Sequence, residues 1–208
     1  MKNILRLFIF TGLICNVQLL SYADGMTVTL PNGTKQKIEV RKIYSSTNPT
    51  DNLIDAIAAK DFSMVKEFIE KGANINSFGS SGQVPLSEAL SPDEAEILDF
   101  LLNHGADVNL NSKGALGEMS VLEIAVANGY LSSTRKLLEH GAQIEKENSI
   151  LNETVLFNAI RSGNVELIKL LIANRADITH KNFVGETPVS LAERSENASI
   201  LEILKPKN

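Results

Sequence analysis

The stretch ETVLFNAIRSGNVELIKLLIANRADIT (153–179) decides the reading of this chain, because it is one copy of a pattern that recurs. Leu53, Leu86, Leu122, Leu156 and Val189 return at intervals of 33, 36, 34 and 33 residues, and Ala56, Ala89, Ala125, Ala159 and Ala192 keep the same intervals. Downstream, Gly72-Ala73, Gly105-Ala106, Gly141-Ala142 and Arg175-Ala176 stay in phase. Several registers sharing five phases are the mark of a repeat architecture. Each unit reads as a pair of helices. The first is short and carries a leucine and an alanine three residues apart. The second shows the helical period, with Phe62, Val65, Phe68 and Ile69 in one unit and Ile97, Leu98, Leu101 and Leu102 in the next. The glycine beyond it offers the left-handed residue that ends a helix at little cost. Polar stretches such as 76–82 then give room for a hairpin-like turn into the next unit.

The pattern resembles the ankyrin repeat. The residues that carry the resemblance are GQVPLSEAL and ILDFLLNHGADVN within 82–109, the stretch 153–179 quoted above, and GETPVSLAE (185–193) with its Thr187-Pro188. They imply an all-α solenoid with hairpin fingers, built of units at about 51–77, 82–109, 118–145 and 152–179 and a capping unit at 185–205, within a repeat domain of residues 49–208. The family's histidine in the first helix is replaced in every unit, by Ile54, Ser87, Glu123, Phe157 and Ser190. Arg175 stands where glycine is expected, and Ser133 and Thr134 interrupt an apolar stripe. These are expected to be local weaknesses. The third unit is longer, and its surplus falls in residues 110–119, so one finger is expected to project.

Two segments precede the repeats. Residues 1–23 read as a signal peptide: Lys2 and Arg6, then the apolar run LFIFTGLIC (7–15), then Ser21-Tyr22-Ala23 before a cut at Asp24. The run is too short to span a bilayer. A lipoprotein signal would acylate Cys15, but Leu13 and Ile14 are bulky where that signal wants small residues. Cleavage would remove Cys15, the chain's single cysteine. An exported protein without disulfides points to a bacterial periplasm, with secretion as the alternative; the sequons at Asn32, Asn152 and Asn197 are too common by chance to decide. Residues 24–48 read as a β-hairpin cap, with Met26 and Val28 alternating against Ile38 around Pro31-Asn32-Gly33. A three-residue loop pairs Met26 with Ile38 and Val28 with Gln36, keeping the apolar side chains on one face.

Composition disfavours a general nucleic-acid binder and a multidomain enzyme, and goes no further. The 208 residues are 43% apolar and 22% charged, with 20 basic and 25 acidic side chains, a net charge of −5. Residues 24–50 carry four basic and two acidic residues, a net +2, whereas residues 51–208 carry 14 basic and 23 acidic, a net −9. That surface disfavours nucleic acid. His104 and His140 share one slot in adjacent units, too far apart for a common metal, and they and His180 read as surface residues. Asp107, Asn109, Asn111 and Glu118 take ligand positions of a calcium loop, but Ser112 stands where the sharp turn needs glycine. Ser91-Pro92 followed by Asp93, Glu94, Glu96 and Asp99 reads as an acidic helix start. No catalytic or metal residue and no cofactor is assigned.

The turns are more telling. Idle turns should be polar, yet these hold Phe78, Leu116, Met119, Ile150, Leu151, Phe183 and Val184. An apolar row rimmed by charge marks an interaction surface, unless some of these residues fold back onto their own hairpins. The resemblance implies that fingers and first helices bind a protein. With export, this suggests a non-catalytic inhibitor or immunity-type protein, monomeric when free and not inserted in the membrane after cleavage, whose partner is a toxin or effector enzyme acting in the periplasm. A periplasmic ankyrin protein supporting catalase-dependent peroxide resistance is the alternative.

Overall fold

A computed structural model describes residues 26–29, 35–38, 46–91, 96–114, 117–195 and 197–205. The expected signal peptide and its cleavage point, the Pro31-Asn32-Gly33 loop, the helix start at Pro92 to Glu94, and Leu116 lie outside these residues. The chain divides into two compact units, Met1–Ile43 and Tyr44–Asn208. In the first, strands β1 (Met26–Thr29) and β2 (Lys35–Ile38) pair antiparallel, with Met26 opposite Ile38 and Val28 opposite Gln36.

The second unit is a helix-pair solenoid. Its pairs are α1 (Pro49–Ala58) with α2 (Phe62–Glu70), and α3 (Pro85–Glu88) with α4 (Glu96–Asn103). Then come α5 (Val121–Ala127) with α6 (Leu131–Glu139), α7 (Val155–Ser162) with α8 (Val165–Ala173), and α9 (Pro188–Arg194) with α10 (Ala198–Leu204). First helices pack in file, α1 on α3, α3 on α5, α5 on α7 and α7 on α9, while α8 packs between α6 and α10. The phased residues are the reason. Leu53, Leu86, Leu122 and Leu156 are buried, and the alanines three residues on (Ala56, Ala89, Ala125, Ala159) let neighbouring helices close up. From the second helices Val65, Leu98, Leu101, Leu137, Leu167, Leu171 and Ile200 complete one continuous core.

The departures from the repeat pattern resolve individually. Ser133 and Thr134 are fully buried without being weaknesses. Ser133 Oγ accepts from the Ser91 N–H (3.2 Å) and donates to the Ser91 carbonyl (2.8 Å), and Thr134 Oγ1 donates to the Tyr130 carbonyl (2.8 Å). Where the helix-1 histidine is missing, Glu123 and Ser190 replace it with reciprocal caps on Ser120 and Thr187. Phe157 cannot, and Thr154 Oγ1 is buried with no hydrogen-bond partner among the described residues. The surplus of the third unit folds as a two-stranded ladder, β3 (Asn111–Gly114) against β4 (Gly117–Ser120), so one finger of the helical fold is a true β-hairpin.

Candidate functional site

The fingers are residues 74–84, 107–120, 141–154 and 177–187, numbered here first to fourth. A polar side chain at one phase ties each to the next. Asn76 Nδ2 donates to the Gly105 carbonyl (3.0 Å), and the Asp107 N–H donates to Asn76 Oδ1 (2.9 Å). Asn109 repeats this toward the third finger, with Gly141 O (3.4 Å) and Gln143 N–H (2.9 Å). Glu145 does so toward the fourth, accepting from the Asp177 N–H (2.9 Å). The fingers therefore form a row. The 33-residue step from Asn76 to Asn109 was the available sequence signal for this ladder, read there only as part of the repeat pattern.

Two asparagines in matching places shape the apolar tips. Asn148 Oδ1 accepts from the Ile150 and Leu151 N–H groups (3.2 and 2.8 Å), and Asn182 Oδ1 accepts from those of Val184 and Glu186 (3.1 and 2.9 Å). Each Asx turn throws the following side chains outward. Ile150 is 68% exposed, Phe183 69%, Val184 75% and Leu151 37%. The Phe183 N–H donates to the Leu151 carbonyl (2.9 Å), bringing these four side chains to one end of the row. Phe78 is 42% exposed at the other end, with the Lys113 ammonium 5.1 Å from its ring centre. Met119 on β4 is half-buried, so the row is not continuous among the described residues.

Beneath the C-terminal tips lies a polar anchor that sequence reasoning missed. Glu153 is 1% exposed; its carboxylate takes a two-pronged contact from Arg161, through Nη1 (2.6 Å) and Nη2, and a further hydrogen bond from Asn182 Nδ2 (3.0 Å). The Arg161 hydrogen bonds hold the Glu153 carboxyl below the usual range, against desolvation that pushes the other way, and Glu153 in turn raises the guanidinium. Asn182 thus bonds Glu153 and shapes the fourth fingertip at once. Asp51 on α1 plays a similar part for the first finger, its carboxyl held low by Ser80 Oγ and N–H (2.6 Å each).

The remaining candidates are spent on structure. Nδ1 of His104 lies 2.7 Å from the Phe100 carbonyl oxygen and that of His140 2.9 Å from Lys136 O, closing the last helical turns. His180 Nε2 stands 2.8 Å from Asn152 O. The partial calcium loop is taken apart by the hairpin: Asn109 faces the third finger, Asn111 Oδ1 accepts from Lys146, and Asn111 Nδ2 donates to Glu118 (3.3 Å). No group of three metal-binding side chains occurs among the described residues, nor a helix long and apolar enough to cross a membrane. A groove of about 490 Å³ opens at the other ends of the helices, between Ile57, Phe62, Leu90 and Ile97 with Lys60 and Glu88.

Comparison with known proteins agrees with this geometry. A family model described as ankyrin repeats (3 copies) matches residues 53–148 and 122–208. A putative ankyrin repeat protein of fowlpox virus (strain NVSL) is 27% identical over 79% of this chain and 24% of its own length. NF-kappa-B inhibitor alpha of Gallus gallus is 25% identical over 71% of this chain and 58% of its own. The tyrosine-protein kinase HTK16 of Hydra vulgaris is 28% identical over 93% of this chain and 26% of its own. The chain thus spans less than two thirds of each. These relatives are viral and eukaryotic, and they lend no support to a bacterial exported type. Phased leucines and alanines, bonded fingers and the family match together place the chain in the ankyrin-repeat family, whose repeats generally mediate protein–protein interaction and are generally non-catalytic.

Proposed function

We propose that this chain is a protein-binding inhibitor of the bacterial envelope, an immunity-type module that neutralises a toxin or effector enzyme acting in the periplasm. The observation that carries the reading is the group Ile150, Leu151, Phe183 and Val184, large apolar side chains held outward at two adjacent fingertips by Asx turns. Such exposure costs solubility and is found where a partner covers it. Support for inhibition comes from the name of the NF-kappa-B inhibitor relative and from the acidic charge of residues 51–208. Support for the compartment comes from Lys2, Arg6, the apolar run 7–15 and the small residues before Asp24.

The test replaces Ile150, Leu151, Phe183 and Val184 together by serine. Circular dichroism and melting should stay nearly unchanged, while affinity for the toxin recovered from periplasmic extract falls about a hundredfold, since central apolar anchors dominate interfaces. Retained affinity moves the site elsewhere. Recovery of a catalase in place of a toxin favours the peroxide-resistance role. Intact mass of the exported chain should begin at Asp24; a mass retaining residues 1–23 removes the envelope from the reading.

A further inference from the structure

Among the described residues, main-chain bonds join the finger row in two places. The first and second fingers are joined by the Lys113 N–H donating to the Gly82 carbonyl (2.8 Å), and the third and fourth by Phe183 N–H to Leu151 O (2.9 Å). Between the second and third, the bonds seen among the described residues run through the side chains of Asn109, Asn111 and Lys146. The side of the second finger that faces this gap is strand β4.

Which groups β4 offers follows from the ladder. In an antiparallel pair, facing residues alternate between exchanging both hydrogen bonds and pointing both away. Lys113 sends its N–H outward to Gly82, so Lys113 and its opposite number Glu118 form an outward-pointing pair. Glu118 therefore turns its N–H and C=O away from β3. Ser120, two residues on, obeys the same alternation: its N–H leaves the ladder and reaches Glu123 Oε2 (2.8 Å). Gly117 and Glu118 are both exposed, and among the described residues no main-chain bond from another finger reaches them.

We propose that the outward edge of β4 is a strand-addition site, where an extended segment of a protein partner, alternating lysine or arginine with aliphatic residues, pairs with the Glu118 main chain in the cleft between the second and third fingers. The chemistry follows from the faces. A residue opposite Glu118 shares the face of its carboxylate, whose side chain is 56% exposed and meets Lys113 Nζ only at 3.9 Å. The next residue shares the face of half-buried Met119, which favours an aliphatic side chain. The net −9 of residues 51–208 draws the same kind of segment. The proposal rests on the protein-binding reading and specifies how one stretch of the partner is held.

The probe is the blocked peptide acetyl-(Lys-Val)4-amide, titrated into the uniformly ¹⁵N-labelled chain. Binding should move the Glu118 amide downfield and slow its exchange, with shifts concentrated at residues 117–120. N-methylation of the peptide's lysines removes the donors that would face β4 and should weaken binding at least about tenfold, and acetyl-(Glu-Val)4-amide should bind as poorly. Absence of binding, affinity indifferent to N-methylation, or shifts confined to Ile150 and Phe183 would each overturn the strand-addition site. Should the serine variant lose its partner while the peptide fails, the protein-binding reading stands and only the β4 edge falls. The converse result spares the edge and removes the fingertips.

Discussion

Lys60, Asn152 and Arg175 have φ of +54°, +58° and +68°. Each stands where another unit has glycine: Gly129 and Gly163 match Lys60, Gly82 and Gly185 match Asn152, and Gly72, Gly105 and Gly141 match Arg175. A Cβ in this region crowds the backbone, which asparagine tolerates better than lysine or arginine do. Arg175→Gly and Lys60→Gly should therefore each raise stability by about 1 kcal/mol in urea melts, whereas Asn152→Gly should change little. Thr154 gives a second test. Its buried hydroxyl has no hydrogen-bond partner among the described residues, the Phe157 N–H donating to the Thr154 carbonyl instead (3.1 Å), so Thr154→Val should gain about 1 kcal/mol, and a loss would reveal a hidden bond. Arg175 was legible in the sequence because it broke a three-fold glycine phase. Lys60 was not, since its turn was read as part of an ordinary helix pair.

Finger conformation depends on elements a linear reading cannot join. That Ile150, Leu151, Phe183 and Val184 were apolar residues in turns was plain from the sequence; whether they faced solvent was not. The answer depends on Asn148 and Asn182, and Asn182 is set by Glu153 from the preceding finger, 29 residues away. Glu153 carries no signal of its own in the sequence, because its partner Arg161 sits on the far end of α7. Glu153→Gln should cost about 2 kcal/mol at neutral pH, since a charge-assisted pair is lost under burial. The pH dependence has a fixed sign. The folded carboxyl titrates below its unfolded value of about 4.3, so its stabilisation is complete above that value and disappears as pH falls through the folded pKa. Urea midpoints of wild type and Glu153→Gln should thus differ at pH 7 and draw together as pH falls below the unfolded value. A gap that does not change with pH would assign the loss to packing.

Across the described solenoid each helix pair packs on its neighbours in sequence, so stability is a sum of unit and interface contributions and one weakened interface can divide the array. The interface of the second and third units is joined partly by polar groups. There, Ser133 holds both main-chain groups of Ser91 at zero exposure, and Lys136 reaches Asp99 with its Nζ at 2.5 and 2.7 Å from the two carboxylate oxygens. Aliphatic side chains such as Leu167 and Ile168 pack between units as well, and these lose strength gradually when trimmed. A polar clasp behaves differently, because losing the hydroxyl removes two directed bonds at once. Ser133→Ala should cost about 1–3 kcal/mol, and unevenly. Amide exchange should quicken in α1 to α4 through opening at this interface, while α7 to α10 stay protected at the wild-type level. Uniform acceleration along all ten helices would mean that the solenoid opens as one cooperative body, with Ser133 contributing to its total rather than to a seam.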